Sequence, residues 1–562
     1  MKLLIIGGVA AGASAAARAR RVCEDCEIIV FDRGPHVSFA NCGLPYWVGG
    51  VIEDEADLLL AGPELFRERL NIEVRTHSEV LSVDPRTRTI AVHARQTGTH
   101  YNETYDSLIL APGAKPWAPP VDGLEQPGVF RLRTIPDAAK IKAAAADARH
   151  ATVIGAGFIG LEMAENLRHL GLDVTLVEAA PHVLGVLDPD LSVLVERRLT
   201  EHGVDLRLGT LVRSIRRDGR LRVAMDDSEV TTDLVLVATG VRPEADLARA
   251  AGLELGDHGG ILVDAFMRTS DPRIWAAGDA VEVRSLLTDH RALLPLAGPA
   301  NRQGRVAGEN AVGRRGDHEL VDFRGVQGTA IAEVFDLAVA MTGASERLLA
   351  AQTDIPWGRA TLHPSDHVGY YPGARTMSLN VYYALDDGRV LGAQAVGEAG
   401  VARRIDVVSM AIQLGGTVYD LAEAELAYAP QFGAAKDPVN VAGMIAVNTL
   451  RGDLPQTRWS DLAPEDTVLD VRSRAEFAAE HIDGALNLPI DELRDRLDEV
   501  PDGPLHVVCA QGKRAYYATR LLRQRGVDAS LLPGGMRTFV ALREAGSLPA
   551  APAPVREGPR GT

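Results

Sequence analysis

The sequence predicts an α/β protein with several domains, two of which share one design. Its 562 residues exceed what a single hydrophobic core organises. Near the N-terminus the apolar strand Lys2–Ile6 enters a glycine-rich turn and an alanine-rich helix, and the same order returns after strand Ala151–Ile154. From about residue 325 to 447 strand-like segments precede a helical one, and a smaller α/β pattern follows. We therefore expect two doubly wound α/β domains, an α+β domain and a C-terminal α/β domain.

The first glycine-rich turn has the pattern of a dinucleotide-binding loop. It is Gly7-Gly8-Val9-Ala10-Ala11-Gly12, and after the helix comes strand Glu27–Phe31 with Asp32 at its end. In a Rossmann βαβ unit such a turn presents backbone N–H groups and a helix N-terminus to a pyrophosphate, and the acid accepts hydrogen bonds from a ribose. The apolar start also resembles a short signal peptide, but the turn and helix behind it favour a Rossmann strand.

The second turn matches the fingerprint fully. Gly155-Ala156-Gly157-Phe158-Ile159-Gly160 is a complete G-x-G-x-x-G, and the next strand, Asp173–Val177, ends at Glu178. Two such units predict two dinucleotides on one chain. Because a carboxylate repels the 2′-phosphate of NADPH, Glu178 favours NADH at this site, although Arg168 or His182 leaves NADPH possible.

Three later strand ends carry glycines that fit the same plan. They lie in the stretches Leu108–Ala114, Leu234–Gly240 and Ile274–Ala280. The last stretch contains Gly278-Asp279, and we expect Asp279 to face the sugar-alcohol chain of a flavin. The dinucleotide of the first unit would then be FAD.

Cys42 is the most informative single residue of the chain. It lies in the segment Ser38–Trp47, just after the second strand of the first unit. Two-cysteine disulfide reductases carry a C-x4-C pair at about this place, but here the position five residues on is Trp47. A lone cysteine beside a dinucleotide predicts either a substrate that supplies the second sulfur or an oxidant that converts the thiol to an oxidised form.

A second reactive cysteine is predicted near the C-terminus. Cys509 follows strand Leu505–Val508 and opens the loop Cys509-Ala510-Gln511-Gly512-Lys513-Arg514-Ala515. A thiolate at a strand end that enters a helix is surrounded by backbone N–H groups, and Lys513 and Arg514 add positive charge. Such a cradle suits a persulfide anion.

Composition excludes some classes of function. A net charge of −17 argues against a nucleic-acid-binding surface, but not against a local basic pocket. Four cysteines do not form a disulfide framework, so a reducing cytoplasm is the expected setting, and no apolar run reaches the ~18 residues of a membrane span. Cys23 and Cys26 have C-x2-C spacing, but no second pair accompanies them. We interpret them as surface residues whose spacing is a coincidence. No metal site is expected.

Residues 1 to about 447 resemble the pyridine-nucleotide–disulfide oxidoreductases. Within that family the chain is most similar to the single-cysteine branch, the coenzyme A disulfide reductases and NADH-dependent persulfide reductases. Besides the loops above, the resemblance rests on the segments Ser38–Tyr46, Leu296–Asn301, Tyr370–Gly373 and Ala427–Phe432, with Lys436 beyond them. One departure is Ala11, where many relatives have glycine. The last 100 residues or so resemble a rhodanese domain through Asp470-Val471-Arg472, Glu476-Phe477, His481–Ala485 and the Cys509 loop.

The resemblance implies a set of binding residues. It assigns FAD and NAD(P)H to Gly7, Gly8, Ala11, Gly12, Asp32, Arg33, Ser38, Asn41, Val80, Ala111, Gly113, Gly155, Gly157, Phe158, Ile159, Gly160, Glu178, Gly240, Gly278, Asp279 and Ala297. It assigns coenzyme A to Ser14, Arg18, Arg21, Ser38, Asn41 and Lys436. Arg18 and Arg21 are three residues apart and share one helix face.

The implied mechanism combines both cysteines. Cys42, as a thiolate activated by its loop and the flavin, would attack a disulfide or persulfide of coenzyme A, and NADH would reset it through the flavin. Tyr428 and Tyr370 from the partner subunit of a homodimer would supply the proton, with Tyr371 as a neighbour that could be confused with Tyr370. Cys509 would load or unload sulfane sulfur.

Two alternatives remain open at this point. In the first, the chain is an NADH oxidase or peroxidase in which Cys42 cycles through a sulfenic acid. In the second, it is a sulfur-relay protein that delivers sulfur to a protein acceptor. The sequence does not show whether the substrate is a disulfide or a persulfide. It also does not show whether Cys509 and Cys42 exchange sulfur directly.

The domain boundaries follow from these assignments. We expect a discontinuous FAD domain at residues 1–115 and 245–322, an NAD(P)H domain at 116–244 and a dimerisation domain at 323–447. A linker at 448–464, a rhodanese domain at 465–547 and a disordered tail at 548–562 complete the chain.

Overall fold

The computed structural model describes residues 1–288, 290–313 and 319–548. The chain divides into two compact units. The first unit comprises residues 1–181 and 200–328, and the second comprises residues 182–199 and the chain from residue 329 onward. The expected tail from residue 549 onward lies outside the described residues.

The helices, numbered along the chain, have the following bounds: α1 Ala10–Val22, α2 Leu44–Val48, α3 Pro63–Leu70, α4 Ile135–Ala146, α5 Phe158–His169, α6 Pro189–Glu201, α7 Asp246–Ala250, α8 Ala297–Val312, α9 Glu346–Gln352, α10 Val401–Gln413, α11 Val418–Glu423, α12 Pro438–Leu450, α13 Arg474–Ala479, α14 Ile490–Leu493, α15 Lys513–Gln524 and α16 Gly535–Glu544. Short 3-10 turns cover Asn41–Gly43, Glu55–Leu58, Trp459–Asp461 and Leu497–Glu499.

The strands of the first unit are β1 Lys2–Ile6, β2 Glu27–Phe31, β3 Glu73–Arg75, β4 Ser78–Asp84, β5 Thr89–Ala94, β6 Thr99–Thr104, β7 Ser107–Leu110, β8 Ala114–Pro116, β9 Val129–Phe130, β10 His150–Ile154, β11 Asp173–Val177, β12 Val204–Arg207, β13 Val212–Asp218, β14 Arg220–Met225, β15 Glu229–Thr232, β16 Leu234–Val237, β17 Val241–Pro243, β18 Ile261–Leu262, β19 Ile274–Ala276, β20 Val281–Arg284 and β21 Arg291–Ala292. Those of the second are β22 Ala330–Val334, β23 Leu337–Gly343, β24 Trp357–Leu362, β25 Met377–Ala384, β26 Val390–Gly397, β27 Thr467–Asp470, β28 Leu486–Asn487, β29 Leu505–Val508 and β30 Ala529–Leu531.

Two parallel sheets organise the first unit. Their strand orders are β19-β7-β1-β2-β3 and β12-β11-β10-β16-β9. Strands β1 and β2 pair with Ile6 opposite Phe31, and β10 and β11 pair with Ile154 opposite Val177. The central strands are buried along almost their whole length, which is the pattern of a parallel sheet covered on both faces. Because the registers match, both glycine turns leave the same edge of their sheets.

Helix α1 packs tightly against α8. A Cβ atom added to Gly304 would lie 2.1 Å from the carbonyl oxygen of Ala11, and one added to Gly308 would lie 2.2 Å from that of Ala15. These glycines therefore let the backbones of the two helices approach each other. The alanines on the facing side of α1 supply the other half of this close contact.

The second unit contains an antiparallel sheet and a parallel one. The antiparallel order is β22-β23-β26-β25-β24, and every residue of β25 and β26 is buried. The parallel order is β28-β27-β29-β30. Together with the two parallel sheets of the first unit, these sheets confirm the predicted fold class, which combines α/β domains with an α+β domain.

The stretch 448–464 is packed, in contrast to the linker that the sequence predicts. Helix α12 extends to Leu450. Leu454 is 2% exposed and Trp459 is 4% exposed, and both belong to cores of the C-terminal domain. The indole of Trp459 donates to the carbonyl oxygen of Pro533 at 2.8 Å. The polar and proline residues of this stretch suggested an exposed linker and gave no sign that Leu454 and Trp459 are buried.

Candidate functional site

The two glycine turns have the same construction. Gly7 and Gly155 have φ angles of +96° and +102°, which a side chain would strain. A Cβ on Gly12 would lie 1.8 Å from the carbonyl oxygen of Gly7, and a Cβ on Gly160 would lie 1.8 Å from that of Gly155. Each helix therefore begins directly against its own turn, with its N-terminal N–H groups available to an anion.

The acids at the strand ends brace these turns. The Asp32 carboxylate accepts hydrogen bonds from the backbone N–H groups of Gly8 (2.9 Å) and Gly34 (2.8 Å). Glu178 likewise accepts from the N–H groups of Ala156 (2.7 Å) and Ala180 (2.8 Å). Burial raises the pKa of Asp32, against the effect of these N–H groups. Each acid is therefore held at the end of its strand beside its glycine turn, and this arrangement fits a bound dinucleotide at both turns.

Asp279 forms a third part of the same site. Gly278 has a φ of +89°, and its N–H donates to the side-chain oxygen of Gln303 at 2.8 Å. A guanidinium nitrogen of Arg133 lies 3.8 Å from the Asp279 carboxylate. Burial raises the pKa of Asp279, and Arg133 opposes that shift. Sequence reasoning missed Arg133, which follows no motif.

The remaining cofactor candidates lie around these turns. Arg33 is exposed and lies 3.7 Å from Glu244. Gly113 has a φ of +76°, and a Cβ there would meet the Arg133 guanidinium at 2.6 Å. Most of the others occupy turn or element-end positions: Ala111 follows β7, Gly240 follows β16 with a φ of +113°, Phe158 and Ile159 begin α5, and Ala297 begins α8. Val80 instead lies within β4 and is buried.

Cys42 lies in the 3-10 turn Asn41–Gly43, immediately before α2, and its side chain is exposed. Protein atoms around the sulfur nevertheless remove part of its hydration, which raises the pKa of the Cys42 thiol. The carboxylates of Glu162 and Asp279 raise it further, and Arg133 opposes them. Nearby negative charge and desolvation therefore both favour the neutral thiol, so the protein groups around Cys42 do not by themselves stabilise its thiolate.

Glu162 was not predicted as a site residue. It lies on α5, two residues after Gly160, and the Tyr46 hydroxyl donates to it at 3.5 Å. Burial raises the pKa of Glu162 to about 7. A carboxyl that titrates near neutrality beside a redox cysteine is suited to hold and release a proton. The only signal in the sequence is an acid among the apolar residues of a nucleotide-binding helix.

The predicted coenzyme A residues of the first unit differ in their surroundings. The Ser14 hydroxyl donates to the side-chain oxygen of Asn301 at 2.6 Å. Two nitrogens of Arg18 donate to Glu309 at 2.9 and 2.7 Å, so Arg18 is engaged in an ion pair within the protein. Arg21 is exposed. Ser38 and Asn41, both half-buried, flank the Cys42 turn, and Ser38 has a φ of +47°.

In the second unit the two predicted tyrosines meet. The hydroxyls of Tyr370 and Tyr428 lie 3.0 Å apart, and the side chains are 75% and 45% exposed. The hydrogen bond to Tyr370 raises the pKa of Tyr428. Tyr371 instead packs edge-on against His367, with ring centroids 5.6 Å apart. Among the neighbouring tyrosines, the structure thus pairs Tyr370 with Tyr428. Lys436 is exposed.

Cys509 is buried at the end of β29, with 1% of its surface exposed. The backbone N–H of Gly512 donates to its sulfur at 3.1 Å. Arg514 binds the Glu476 carboxylate through two hydrogen bonds of 2.8 and 2.6 Å. Gln511 and Lys513 are exposed at the mouth of the loop. One backbone N–H of the loop therefore contacts the sulfur, while Lys513 is exposed and Arg514 is paired with Glu476.

The structure joins Cys23 and Cys26 in a disulfide at the end of α1. Cys26 is only 3% exposed, so the interpretation of this pair as a surface coincidence is wrong. The buried guanidinium of Arg20 donates to the carbonyl oxygen of Cys23 at 3.0 Å and to that of Leu70 at 2.7 Å. Cys42 and Cys509 are the cysteines left free.

Comparison with known proteins assigns each region to a family model. Residues 1–304 match the model described as pyridine nucleotide-disulphide oxidoreductase, and residues 329–438 match the dimerisation domain of the same family. Residues 456–542 match the model of a rhodanese-like domain. Within the described residues, no helix is long and apolar enough to cross a membrane.

Individual relatives cover most of the chain. A coenzyme A disulfide reductase from Staphylococcus haemolyticus is 33% identical over 79% of this chain and 98% of its own length. The reduced CoADR-RHD of Bacillus anthracis is 41% identical, with a TM-score of 0.93 over 97% of this chain and 98% of that one. A NAD-dependent persulfide reductase from A. fulgidus is 39% identical, with a TM-score of 0.89 over 96% of this chain and 100% of that one.

Proposed function

This chain belongs to the pyridine nucleotide-disulphide oxidoreductase family, and on that premise we propose that it uses NAD(P)H to reduce coenzyme A disulfide or coenzyme A persulfide at Cys42. The observation that carries the proposal is the free, exposed Cys42 beside Asp279 and Glu162. A single cysteine at this place needs a second sulfur from the substrate. The sulfur-handling relatives and the rhodanese-like domain support the same substrate class.

The cofactors of this proposal are FAD at the Gly7–Gly12 turn with Asp32, and NADH at the Gly155–Gly160 turn with Glu178. When bound, they supply two electrons and a proton equivalent to the sulfur site. The choice of NADH is supported by Glu178, whose carboxylate accepts two backbone N–H hydrogen bonds and would disfavour a 2′-phosphate at this turn.

The proposed reaction at Cys42 is a thiol–disulfide exchange. The Cys42 sulfur attacks one sulfur of coenzyme A disulfide, a Cys42–coenzyme A disulfide forms, and one coenzyme A thiolate leaves. With coenzyme A persulfide, the leaving group is hydrosulfide. The whole reaction consumes one NADH and one proton per disulfide or persulfide bond, and it yields two thiols or one thiol and hydrogen sulfide.

Proton handling falls to two groups of this chain. The raised pKa of Cys42 means that the sulfur must lose a proton before it attacks, and Glu162, with a pKa of about 7, is the nearby group suited to take it. The Tyr370–Tyr428 pair is suited to donate a proton to the leaving thiolate. In a homodimer, these exposed hydroxyls would serve the site of the partner subunit.

Cys509 provides the second half of the proposed function. Its buried sulfur already accepts a backbone N–H, and the same loop would stabilise the anion of a Cys509 persulfide. We assign it the transfer of sulfane sulfur to or from a small thiol.

Two single substitutions test this division of labour in the flavin-loaded, full-length protein. Cys42→Ser should abolish NADH consumption with coenzyme A disulfide and keep the transfer of sulfur from thiosulfate to cyanide. Cys509→Ser should abolish that transfer and keep coenzyme A disulfide reduction. The two assays are NADH absorbance and thiocyanate formation.

One outcome would overturn the proposal. If the wild-type protein oxidises NADH rapidly with oxygen or peroxide and slowly with every sulfur substrate, Cys42 serves an oxidase or peroxidase. Equal loss of both activities in each variant would instead contradict the separate roles of the two cysteines.

A further inference from the structure

His363 joins the antiparallel sheet of the second unit to the rhodanese-like domain. It directly follows β24, and its side chain is buried. Its Nδ1 lies 2.9 Å from the Ser378 hydroxyl on β25, and its Nε2 lies 2.9 Å from the Thr538 hydroxyl on α16. Ser378 is 2% exposed and Thr538 is fully buried. The ring therefore bridges two hydroxyls that belong to different domains.

This bridge is a neutral one. Burial lowers the pKa of His363 to about 3, and the positive charges of Arg537 and Arg359 act in the same direction. A neutral imidazole has one donor and one acceptor nitrogen, and each hydroxyl can take the complementary role. Because all three groups are buried, loss of one partner leaves the other without a hydrogen bond, which is costly.

Thr538 lies one turn from the loop that holds Cys509. In the first turn of α16, the backbone N–H of Met536 donates to the carbonyl oxygen of Cys509 at 2.8 Å, and that of Arg537 donates to Ala510 at 3.1 Å. The start of α16 thus fixes the two carbonyl groups that begin the Cys509 loop. Movement of α16 would move this loop with it.

Two glycines make the close approach possible. A Cβ on Gly535 would lie 2.2 Å from the carbonyl oxygen of Cys509. A Cβ on Gly534 would lie 2.0 Å from the Thr538 hydroxyl and 2.8 Å from a methyl group of Thr361, which belongs to β24. The sheet, α16 and the Cys509 loop therefore meet at the Gly534-Gly535 pair.

We propose that His363 is a positioning residue for sulfur transfer at Cys509, acting through Thr538 and the first turn of α16. It touches neither the sulfur nor a substrate. Its role is to hold the Cys509 loop from outside the rhodanese-like domain. The inference rests on the proposed function of Cys509 as a carrier of sulfane sulfur.

The transfer used as a test has two steps. The Cys509 thiolate attacks the outer sulfur of thiosulfate, a Cys509 persulfide forms, and sulfite leaves. Cyanide then attacks the outer sulfur of the persulfide, thiocyanate leaves, and the Cys509 thiolate is restored.

A matched pair of substitutions separates positioning from simple packing. In His363→Gln, the amide nitrogen replaces Nε2 and keeps the bond to Thr538. In His363→Asn, the shorter amide replaces Nδ1, keeps the bond to Ser378 and cannot reach Thr538. Thiosulfate–cyanide transfer is measured in the full-length, flavin-loaded protein, with coenzyme A disulfide reduction as the control for folding.

We expect His363→Asn to lower kcat/KM for thiosulfate by about tenfold, within the loss that misplacement of a reacting group causes. His363→Gln should stay within about twofold of wild type because the bond to Thr538 remains. Thr538→Ala should reproduce the loss, and combining it with His363→Asn should add little. The rate at which iodoacetamide alkylates Cys509, followed by peptide mass spectrometry, should differ from that of wild type in His363→Asn and in Thr538→Ala.

The outcomes distinguish the two hypotheses. If wild-type protein lacks thiosulfate–cyanide transfer, the proposed function of Cys509 fails. If wild-type protein is active and the two His363 variants behave alike, the positioning role of His363 is refuted.

Discussion

At the scale of single residues, Cys42 and Glu162 share one electrostatic environment. Desolvation raises the pKa of both groups, and the Glu162 charge raises that of Cys42 further. Above about pH 7 an ionised Glu162 therefore opposes formation of the Cys42 thiolate. The protein by itself stabilises a resting thiol, and reactivity depends on what is bound beside it.

Substitution Glu162→Gln should make Cys42 more reactive at alkaline pH. Without the carboxylate, the pKa of Cys42 falls, because one of the two charges that raise it is gone. Alkylation of Cys42 by iodoacetamide should be faster than in wild type at about pH 9 and unchanged at about pH 6, where Glu162 is protonated. Equal rates for the two proteins at both pH values would show that Glu162 does not influence Cys42.

At this scale the sequence predicted residues that belong to motifs. Asp32, Glu178 and Cys509 occupy the positions that their spacing indicates. Glu162 escaped prediction because its role depends on burial and on a neighbour far along the chain. The hydroxyl contact with Tyr428, which distinguishes Tyr370 from Tyr371, is likewise not revealed by adjacent positions in a sequence.

At the scale of elements, the start of α6 is locked into the antiparallel sheet by buried polar groups. The carbonyl oxygen of Asp188 accepts from the backbone N–H groups of Leu191 and Ser192, both at 3.0 Å. Its carboxylate accepts from the backbone N–H of Glu346 at 3.1 Å and from the buried hydroxyl of Tyr382. Burial, with the nearby Asp190, raises the pKa of Asp188 to about 8.

Substitution Asp188→Asn should remove a pH dependence of stability. Asp188 titrates higher in the folded than in the unfolded protein, so its contribution is complete below about pH 4 and is lost as pH rises through about 8. In that window the free energy of unfolding of wild type should fall, relative to the variant, by up to about 1.4 kcal/mol per pH unit. Denaturant unfolding at several pH values measures this difference.

A control variant is Asp387→Asn, in the exposed turn between β25 and β26. It should leave the pH dependence of wild type in place. A constant difference between wild type and Asp188→Asn at all pH values would mean that folding does not shift the pKa of Asp188.

At the scale of the whole molecule, the dimerisation and rhodanese-like domains belong to the same compact unit. The connecting stretch is held by backbone hydrogen bonds, since Thr457 donates to Leu531 at 3.0 Å and Leu531 donates to Pro455 at 2.9 Å. Arg458 lies over the ring of Trp357, with its guanidinium carbon 4.4 Å from the ring centroid. The rhodanese-like domain is thus held by packed contacts with the rest of this unit and not only by a flexible linker.

Trypsin should therefore fail to release the rhodanese-like domain from the native protein. Arg451 and Arg458 offer exposed side chains in the connecting stretch, but cleavage requires the backbone there to open. Gel electrophoresis and mass spectrometry of a digestion time course measure the fragments. Rapid release of a fragment that begins at Gly452 or Trp459 would show that the stretch is a flexible linker.

The order of domains was predictable from sequence, whereas their attachment was not. Repeated βαβ patterns and the loops of Cys42 and Cys509 indicated the fold class because they are local and periodic. The packing of Leu454 and Trp459 into the C-terminal domain depends on contacts with residues much later in the chain. The bridge through His363 is of the same long-range kind, and no motif marks it.

The likeness of the two glycine turns has a consequence for how such proteins are recognised. A Cβ on Gly157 would meet no atom within 4 Å, and the first turn carries Val9 at the equivalent place. The backbone of the turn therefore does not require glycine at the middle position of the fingerprint, unlike at its two ends. A pattern search that requires all three glycines would miss the N-terminal turn, although its backbone is built like that of the second turn.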